Sequence, residues 1–269
     1  MKPMKKVTVP CLHQMKAEGR KITALTAYDA TIAALEDAAG MDIILVGDSA
    51  GMVISGDKDT LAITLEEMIF LTKSVSRGVK RALLVADMPF GSFQPSSEIA
   101  IGSAIRFMKE GHAEGIKIEG AGPLLESIEK MTAMGIPVMG HLGLTPQSVH
   151  AFGGYQLRGV GDKEAKRIQE DALRLQDAGV FSIVLEKIPA ELAATVSRSL
   201  TIPTIGIASG AACDGQILVC YDMLGLNPYQ FKFVRRYLDG AVILREAFSK
   251  YIQDIQNGSF PSEEESFHG

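Results

Sequence analysis

Four short apolar runs of this chain each end on a carboxylate, and this repeated pattern sets narrow limits on the possible folds. The runs span 43–48, 83–87, 115–119 and 183–186, and the acids that end them are Asp48, Asp87, Glu119 and Glu186. Each run has the length and branched aliphatic content of a strand buried on both faces, as in a parallel sheet. If the strands close into a barrel, the four acids converge on one rim. A cluster of this kind repels itself unless it holds a cation or shares protons.

The alternative for any single acid is that it caps the following helix or pairs with a nearby lysine. An unpaired carboxylate is costly in a low-dielectric interior, so a buried strand has little use for one. Because the pattern recurs at the same end of four strands, we favour a functional site over four unrelated caps.

Strand-like and helix-like segments alternate almost from end to end, which predicts an α/β protein with a parallel sheet. At 269 residues the chain has a typical size for a (β/α)8 TIM barrel. Strands are predicted near 22–27, 42–47, 82–87, 115–119, 136–140, 181–186 and 203–207. The eighth is less clear: 217–221 is apolar but starts soon after the seventh strand, and parallel neighbours usually need a long crossover. We therefore predict a short helix over 215–224, the last strand over 232–236 and a helix over about 239–256.

No linker, internal repeat or low-complexity segment interrupts the chain. The sequence therefore predicts one barrel domain over 1–269, with a short N-terminal extension and a polar C-terminal tail.

The composition limits the kinds of binding partner and the cellular compartment that can be expected. A net charge of −5 gives no electrostatic case for nucleic acid or an anionic membrane, and no run approaches the ~20 apolar residues of a membrane span. The 3 cysteines show no metal-type pairing, and an odd count argues against a disulfide framework. The basic first residues lead into no apolar segment, so they do not form a signal peptide. These features predict a cytoplasmic protein with reduced thiols.

Asp48 and Asp87 are the better candidates for metal ligands, because each closely follows its strand and neither has a basic neighbour in sequence. Mg2+ prefers one or two carboxylates together with substrate oxygens and water, although manganese, cobalt or zinc use similar ligands. Glu119 would complete the acid set directly or through water. Its alternative partner is Lys117, but residues two apart on a strand share a face, so that pair would itself point into the barrel. A substrate carboxylate is a natural anion for such a lysine.

Glu186 follows three aliphatic residues, and an apolar setting makes a carboxylate a stronger base. The alternative is that it serves the N-terminus of a helix that begins at Pro189. His141 follows the fifth predicted strand in a glycine-rich segment that implies a close backbone approach. A lone histidine at a strand end is more often structural than catalytic.

The chain resembles the ketopantoate hydroxymethyltransferase family from about Lys21 to its end. The resemblance rests on several ordered motifs: Thr23-Ala24-Leu25-Thr26-Ala27-Tyr28-Asp29, Leu45-Val46-Gly47-Asp48-Ser49, Ala86-Asp87-Met88-Pro89-Phe90, Ile116-Lys117-Ile118-Glu119-Gly120, the segment 140–149 with Phe152-Gly153-Gly154-Tyr155, and Asp214-Gly215-Gln216-Ile217-Leu218-Val219. So many matches in order are specific, although no single one would be.

This resemblance implies a (β/α)8 barrel that transfers a hydroxymethyl group from 5,10-methylenetetrahydrofolate to 3-methyl-2-oxobutanoate, forming ketopantoate for pantothenate and coenzyme A synthesis. It implies a Mg2+ cofactor and a metal-stabilised enolate. It also implies a large homo-oligomer, typically a homodecamer of two pentameric rings.

The resemblance further implies roles for individual residues. Asp48, Asp87 and Glu119 would form the metal site. The 2-oxo acid would be held by Asp48, Ser49, Asp87 and Lys117. In the mechanism that these roles suggest, His141 would contact the new hydroxymethyl group. Glu186 would be the proton acceptor.

Two departures from the family pattern stand out. Gly206-Ile207-Ala208-Ser209-Gly210 replaces a more usual Gly-Ile-Gly-Ala-Gly, and the tail lacks the histidine of a common Glu-His-Ser-Phe. Neither touches the expected chemistry.

We considered three alternative functions for this sequence. A lyase or mutase of the phosphoenolpyruvate mutase/isocitrate lyase type would use a similar barrel, but the chain has no Lys-Lys-Cys-Gly-His loop. A magnesium aldolase would turn over without folate. A non-catalytic binding barrel would have no reason to keep this set of buried charges.

Overall fold

The computed structural model describes residues 5–269. These form two compact units, a first that reaches Val219 and a second over Cys220–Gly269. The single domain predicted from the sequence stays a prediction. Across the described range, no helix has the length and apolar character that crossing a membrane requires.

Eight parallel strands close into a barrel in chain order, with β8 pairing back onto β1. They are β1 Ile22–Thr26, β2 Ile43–Val46, β3 Leu83–Asp87, β4 Gly115–Glu119, β5 Val138–Gly143, β6 Ser182–Glu186, β7 Thr204–Ile207 and β8 Gly215–Leu218. Helices occupy most of the crossovers, so the fold is a (β/α)8 TIM barrel, as predicted. The first seven strands lie where the sequence placed them. The fifth runs a few residues further, so that His141 lies within β5 rather than after it.

Nine helices accompany the strands of the first unit within the described residues: α1 Val9–Ala17, α2 Ala30–Ala39, α3 Ala50–Val53, α4 Leu65–Ser76, α5 Ser97–Lys109, α6 Leu125–Ala133, α7 Val149–Phe152, α8 Asp162–Asp177 and α9 Ala190–Ser199. Single 3-10 turns lie at Gly122–Leu124 and Pro146–Ser148. The local sequence explains where several of these helices begin. Thr64 and Glu67 form a capping box at the start of α4, and the Ser96 hydroxyl accepts from Ile99 N at the start of α5.

The predicted eighth strand was wrong. Gly215–Leu218 is β8, the helix that follows is shorter than predicted, and 232–236 contains no strand. The prediction required a long crossover between β7 and β8. Strands of 4 residues are only about 13 Å long, and residues 208–214 can span up to about 23 Å when extended. A short loop can therefore return to the start of the next strand without a helix.

The barrel interior is filled by alternate residues of the strands, including Ile43, Leu45, Leu83 and Val85. Leu12 and Met15 of α1 belong to the same cluster. The imidazole Nε2 of His13 lies 3.0 Å from the carbonyl of Phe181, just before β6. Helix α1 therefore closes the amino-terminal end of the barrel and leaves the opposite end for chemistry.

The second unit contains α10 Cys220–Met223, α11 Gly240–Gln256 and a 3-10 turn at Glu263–Glu265. The helix predicted near 239–256 is thus confirmed. Most of α11 is exposed, including the large apolar residues Phe248, Tyr251 and Ile252.

Candidate active site

The four acids that end the apolar runs lie at the carboxyl-terminal rim of the barrel. Asp87, Glu119 and Glu186 are the last residues of β3, β4 and β6, and Asp48 follows β2 by two residues. The strand register sets Asp87 beside Lys117 and Glu119 beside His141. Lys117 and Glu119 share an inward face, as their spacing predicted. The structure therefore brings the predicted chemical groups to one end of the barrel.

Asp48 and Ser49 lie in the turn between β2 and α3. Asp48 N donates to Asp87 Oδ2 over 3.2 Å, which ties the ends of two neighbouring strands together. The Ser49 hydroxyl lies 2.8 Å from the Tyr28 hydroxyl, which accepts from Thr26 Oγ1. A Cβ at Gly47 would come within 2.7 Å of Ser49 Oγ, so a larger residue at this turn would displace the Ser49 hydroxyl.

Lys117 lies among the acids as a buried cation. Its ammonium is 2.5 Å from Asp87 Oδ1 and 3.6 Å from Glu119 Oε1. Burial alone would lower the pKa of Lys117, but Asp87, Glu119 and Asp48 outweigh it and raise the pKa above its ordinary value. Lys117 therefore stays charged. Its anions in this structure are protein carboxylates, and a substrate carboxylate would join them.

The pKa values of the acids are shifted in different directions by this environment. Burial raises the pKa of Asp48 well above its usual range, with repulsion from Asp87 and Glu119 adding to the effect. Burial also raises the pKa of Asp87, because the nearby Lys117 charge offsets it only in part. The pKa of Glu119 is lowered, since Lys117 and His141 outweigh its burial. A divalent ion beside Asp48 and Asp87 would favour their ionised forms.

His141 connects Glu119 to Glu186. Its Nδ1 lies 3.3 Å from Glu119 Oε1 and 3.2 Å from Lys117 Nζ, and its Nε2 lies 3.2 Å from Glu186 Oε2. Burial and the Lys117 charge oppose protonation, but the nearby carboxylates of Glu119 and Glu186 outweigh them and raise the pKa of His141 to about 9. A neutral ring would accept from Lys117 at Nδ1 and carry its proton on Nε2. In both states Nε2 therefore carries a proton on the side of Glu186.

Glu186 is held at its position by close backbone packing. Gly143 has φ +96°, and a Cβ there would lie 2.2 Å from the Glu186 carbonyl oxygen. This is the close approach that the glycine-rich segment predicted. The Glu186 side chain, 21% exposed, faces His141 rather than an entirely apolar wall. In the described chain, no hydrogen bond joins its carboxylate to the start of α9, so the geometry does not favour the helix-capping alternative.

The loop that contains Gly153 and Gly154 lies against the end of β6. Lys187 Nζ donates to the Tyr155 carbonyl, and Arg158 N donates to the Lys187 carbonyl over 3.0 Å. Burial and the acids of the rim raise the pKa of the Tyr155 hydroxyl. Tyr155 therefore lies within the electrostatic field of the rim.

The donor set fits a divalent ion that is held by two carboxylates. Within residues 5–269, no three side chains of the His, Cys, Asp and Glu types form a ready-made ligand set. Asp87 Oδ1 is buried and accepts no aligned hydrogen bond from the described residues, although Lys117 is close. Two adjacent aspartates, completed by substrate oxygens and water, match the preference of Mg2+. Both Glu119 oxygens already contact protein donors, which favours its role through a water.

Sequence reasoning missed Gln147, a buried residue of the Pro146–Ser148 turn that contacts two of the acids. An uncharged amide gives no signal in a search for titratable groups. Its place in a glycine-rich segment directly after a strand was the one available indication.

The sequence matches those of known proteins over nearly the whole chain. The sequence model of the ketopantoate hydroxymethyltransferase family matches residues 6–263. The chain is 54% identical to the 3-methyl-2-oxobutanoate hydroxymethyltransferase of Magnetococcus marinus, over 98% of each chain. It is 52% identical to the enzyme of the same name from Trichlorobacter lovleyi, over 98% of this chain and 99% of the relative.

Solved structures show the same barrel at low sequence identity. Phosphonopyruvate hydrolase in complex with oxalate and Mg2+ matches with a TM-score of 0.64 at 14% identity, over 96% of this chain and 93% of that one. The 2,3-dimethylmalate lyase, a member of the PEP mutase/isocitrate lyase superfamily, matches with a TM-score of 0.61 at 17% identity, over 91% and 87%. At these identities the likeness concerns the fold alone.

Proposed function

The chain belongs to the ketopantoate hydroxymethyltransferase family, and from that premise we propose that it converts 3-methyl-2-oxobutanoate to ketopantoate with 5,10-methylenetetrahydrofolate as the one-carbon donor and Mg2+ as the cofactor. The net reaction consumes water and releases tetrahydrofolate. The observation that carries the proposal is the row of Lys117, Glu119, His141 and Glu186 around one rim. The row offers a fixed cation and an oriented base, and Asp48 and Asp87 beside it offer two carboxylates for an ion.

Asp48 and Asp87 would hold the metal ion, with Glu119 acting through a water. When bound, a divalent ion supplies Lewis-acid polarisation of a carbonyl oxygen. Asp48 N–H donates to Asp87 Oδ2, which limits the movement of the Asp87 carboxylate before any ligand arrives. The two aspartates would thereby also orient the 2-oxo acid.

Lys117 and Ser49 would bind the oxygens of the 2-oxo acid. The Lys117 ammonium has little room to move because it lies between Asp87 and Glu119. A fixed positive charge of this kind stabilises negative charge that develops on a substrate oxygen, and it needs no reorganisation during the reaction. The Ser49 hydroxyl is oriented by Tyr28.

Glu186 would remove the C3 proton of the bound oxo acid. His141 presents Nε2 to the Glu186 carboxylate and leaves its other oxygen for the substrate. The two groups are within reach but not aligned as a hydrogen bond, and such alignment is often completed only when substrate binds. The resulting enolate carbon would attack the methylene group that the folate delivers. His141 would lie beside the new hydroxymethyl group.

The decisive experiment is an assay of ketopantoate formation from 3-methyl-2-oxobutanoate with and without methylenetetrahydrofolate, each with Mg2+ and with excess chelator. We expect product only when folate and metal are both present. Product from free formaldehyde at an equal rate without folate would instead indicate an aldolase. Cleavage of a 2-methylmalate-type substrate would indicate a lyase.

A homodecamer in the cytoplasm completes the proposal, and family resemblance is its main support. The exposed Phe248, Tyr251 and Ile252 of α11 also support association between chains, because a contiguous apolar surface favours burial. Light scattering at micromolar concentration should give a mass near ten chains. A stable monomer would contradict this.

A further inference from the structure

Gln147 is a buried amide whose side-chain polar atoms are all engaged. Its Nε2 donates to Asp48 Oδ2 and to the Met88 carbonyl, both over 2.9 Å. Its Oε1 accepts from Gln94 Nε2 over 3.0 Å, and its backbone N donates to Glu119 Oε2 over 3.0 Å. The residue is only 6% exposed. Full use of every donor and acceptor in a buried residue indicates a fixed orientation.

The direction of the amide follows from its partners. Asp48 Oδ2 and the Met88 carbonyl are acceptors, so the NH2 group must face them. Gln94 is oriented in turn, because its Oε1 accepts from Gly91 N over 2.7 Å and its NH2 therefore faces Gln147. A chain of hydrogen bonds thus runs from a backbone amide through two glutamines to Asp48.

Gln147 joins residues from separate parts of the barrel rim. Asp48 follows β2, Met88 follows β3 and Glu119 ends β4, whereas Gln147 itself follows β5. Gln147 contacts both Asp48 and Glu119, and so it links two carboxylates that belong to different strands. The amide donor of Gln147 carries no charge. It therefore holds Asp48 without competing with a cation for the carboxylate, as a lysine would.

We propose that Gln147 is a positioning residue, which fixes the carboxylates of Asp48 and Glu119 relative to each other so that Mg2+ and the 2-oxo acid bind to a preformed site. This inference rests on the proposed function, since it assumes that Asp48 helps to hold the ion. Partners that orient ligand side chains typically change metal affinity by about 10–100-fold when they are removed.

The test compares Gln147→Met with the parent protein. Methionine matches the length of the side chain but cannot make the three amide contacts, and the backbone bond to Glu119 is kept. We expect the dissociation constants for Mg2+ and for 3-methyl-2-oxobutanoate, measured by titration calorimetry, to rise by about 10–100-fold. The KM for the oxo acid should rise more than kcat falls. Gln94→Leu removes only the support of the amide and should give a smaller change in the same direction.

Gln176→Met is the matched control. Gln176 Oε1 accepts from Thr201 N over 2.7 Å and from Thr201 Oγ1 over 3.0 Å, away from the acids of the rim. This variant should lose thermal stability and keep both binding constants. If Gln147→Met binds both ligands as the parent does, or loses affinity only to the extent that Gln176→Met does, the inference is overturned. Failure of the proposed function would be seen in the parent itself, as binding of the oxo acid that is independent of any divalent ion.

Discussion

His141 presents its Nε2 to Glu186 Oε2 at 3.2 Å across the neighbouring strands β5 and β6. The Nδ1 atom of the same ring lies close to Glu119 and Lys117. The position of the proposed base is therefore linked to the charged cluster where the oxo acid would bind. A base that is oriented by a second group, which is itself held by a third, follows the general arrangement of activated groups in enzymes.

The role of Glu186 can be tested apart from carbon transfer. With Mg2+ but no folate, the parent should exchange the C3 hydrogen of 3-methyl-2-oxobutanoate with solvent deuterium. Glu186→Gln keeps the size and polarity of the side chain but removes its basic site, so exchange should fall by about 10²–10⁴-fold. Binding of the oxo acid should change little. The exposed Glu191→Gln in α9 is the control. Exchange at the parental rate would identify another group as the base.

His141→Gln should reduce the same exchange by up to about 10²-fold, because a misplaced base loses rate without losing its chemistry. The double variant with Glu186→Gln should be no slower than Glu186→Gln alone. Nuclear magnetic resonance of the C3 hydrogen measures all three rates. Additive losses would show that His141 acts independently of Glu186, for example on the substrate itself.

Asp87→Asn should lose most activity and weaken Mg2+ binding in titration calorimetry. The substitution removes one of the two adjacent aspartates and the closest anion of Lys117, but it keeps the shape of the side chain. Asp177→Asn, at the exposed end of α8, is the control. Full activity of the Asp87 variant in excess chelator would rule out the proposed metal site.

The alternation of strand-like and helix-like segments in the sequence was enough to predict the barrel and its first seven strands. The inward face of Lys117 and Glu119 followed from the two-residue period of a strand, and the common rim of the acids followed from barrel closure. The pairing of β7 with β8 could not be predicted, since it depends on strand length and barrel geometry rather than on local pattern. Gln147 was missed for a related reason, because its role depends on which distant acceptors surround it.

Ala208 lies in the left-handed region with φ +54°, at the position where the family pattern usually has glycine. Left-handed backbone costs about 1–2 kcal/mol for a residue with a Cβ, and the extra freedom of glycine in the unfolded chain costs about 0.4–1 kcal/mol. Ala208→Gly should therefore stabilise the protein by up to about 1 kcal/mol. Ser209 holds the loop through its bond to the Leu185 carbonyl, 2.8 Å long, and should keep the loop in place. A lower urea midpoint for the variant would contradict this reading of the strain.

Glu36 gives the last prediction, which concerns stability and pH. It lies in α2 with 7% exposure, and neither carboxylate oxygen has a hydrogen-bond partner within the described chain. Burial, with a smaller contribution from Asp29, raises its pKa to about 8 from an ordinary value of 4.5. Between these two values the folded protein keeps a proton that the unfolded chain has lost. The free energy of unfolding should therefore fall as the pH rises through this window, by up to about 1.4 kcal/mol per pH unit.

Glu36→Gln cannot ionise, so it should remove this part of the pH dependence. Urea unfolding at pH 5 and pH 8 measures it, and the difference between variant and parent isolates Glu36 from other titrating groups. The variant should gain most at pH 8 and much less at pH 5, because the loss of stability accumulates as the pH rises above the ordinary pKa of 4.5, and pH 5 lies only just above that value. Glu129→Gln, on the exposed face of α6, should leave the pH dependence unchanged. An equal gain at both pH values would mean that the introduced glutamine packs better rather than escaping ionisation, and no gain at pH 8 would mean that the carboxylate finds a partner in the folded protein.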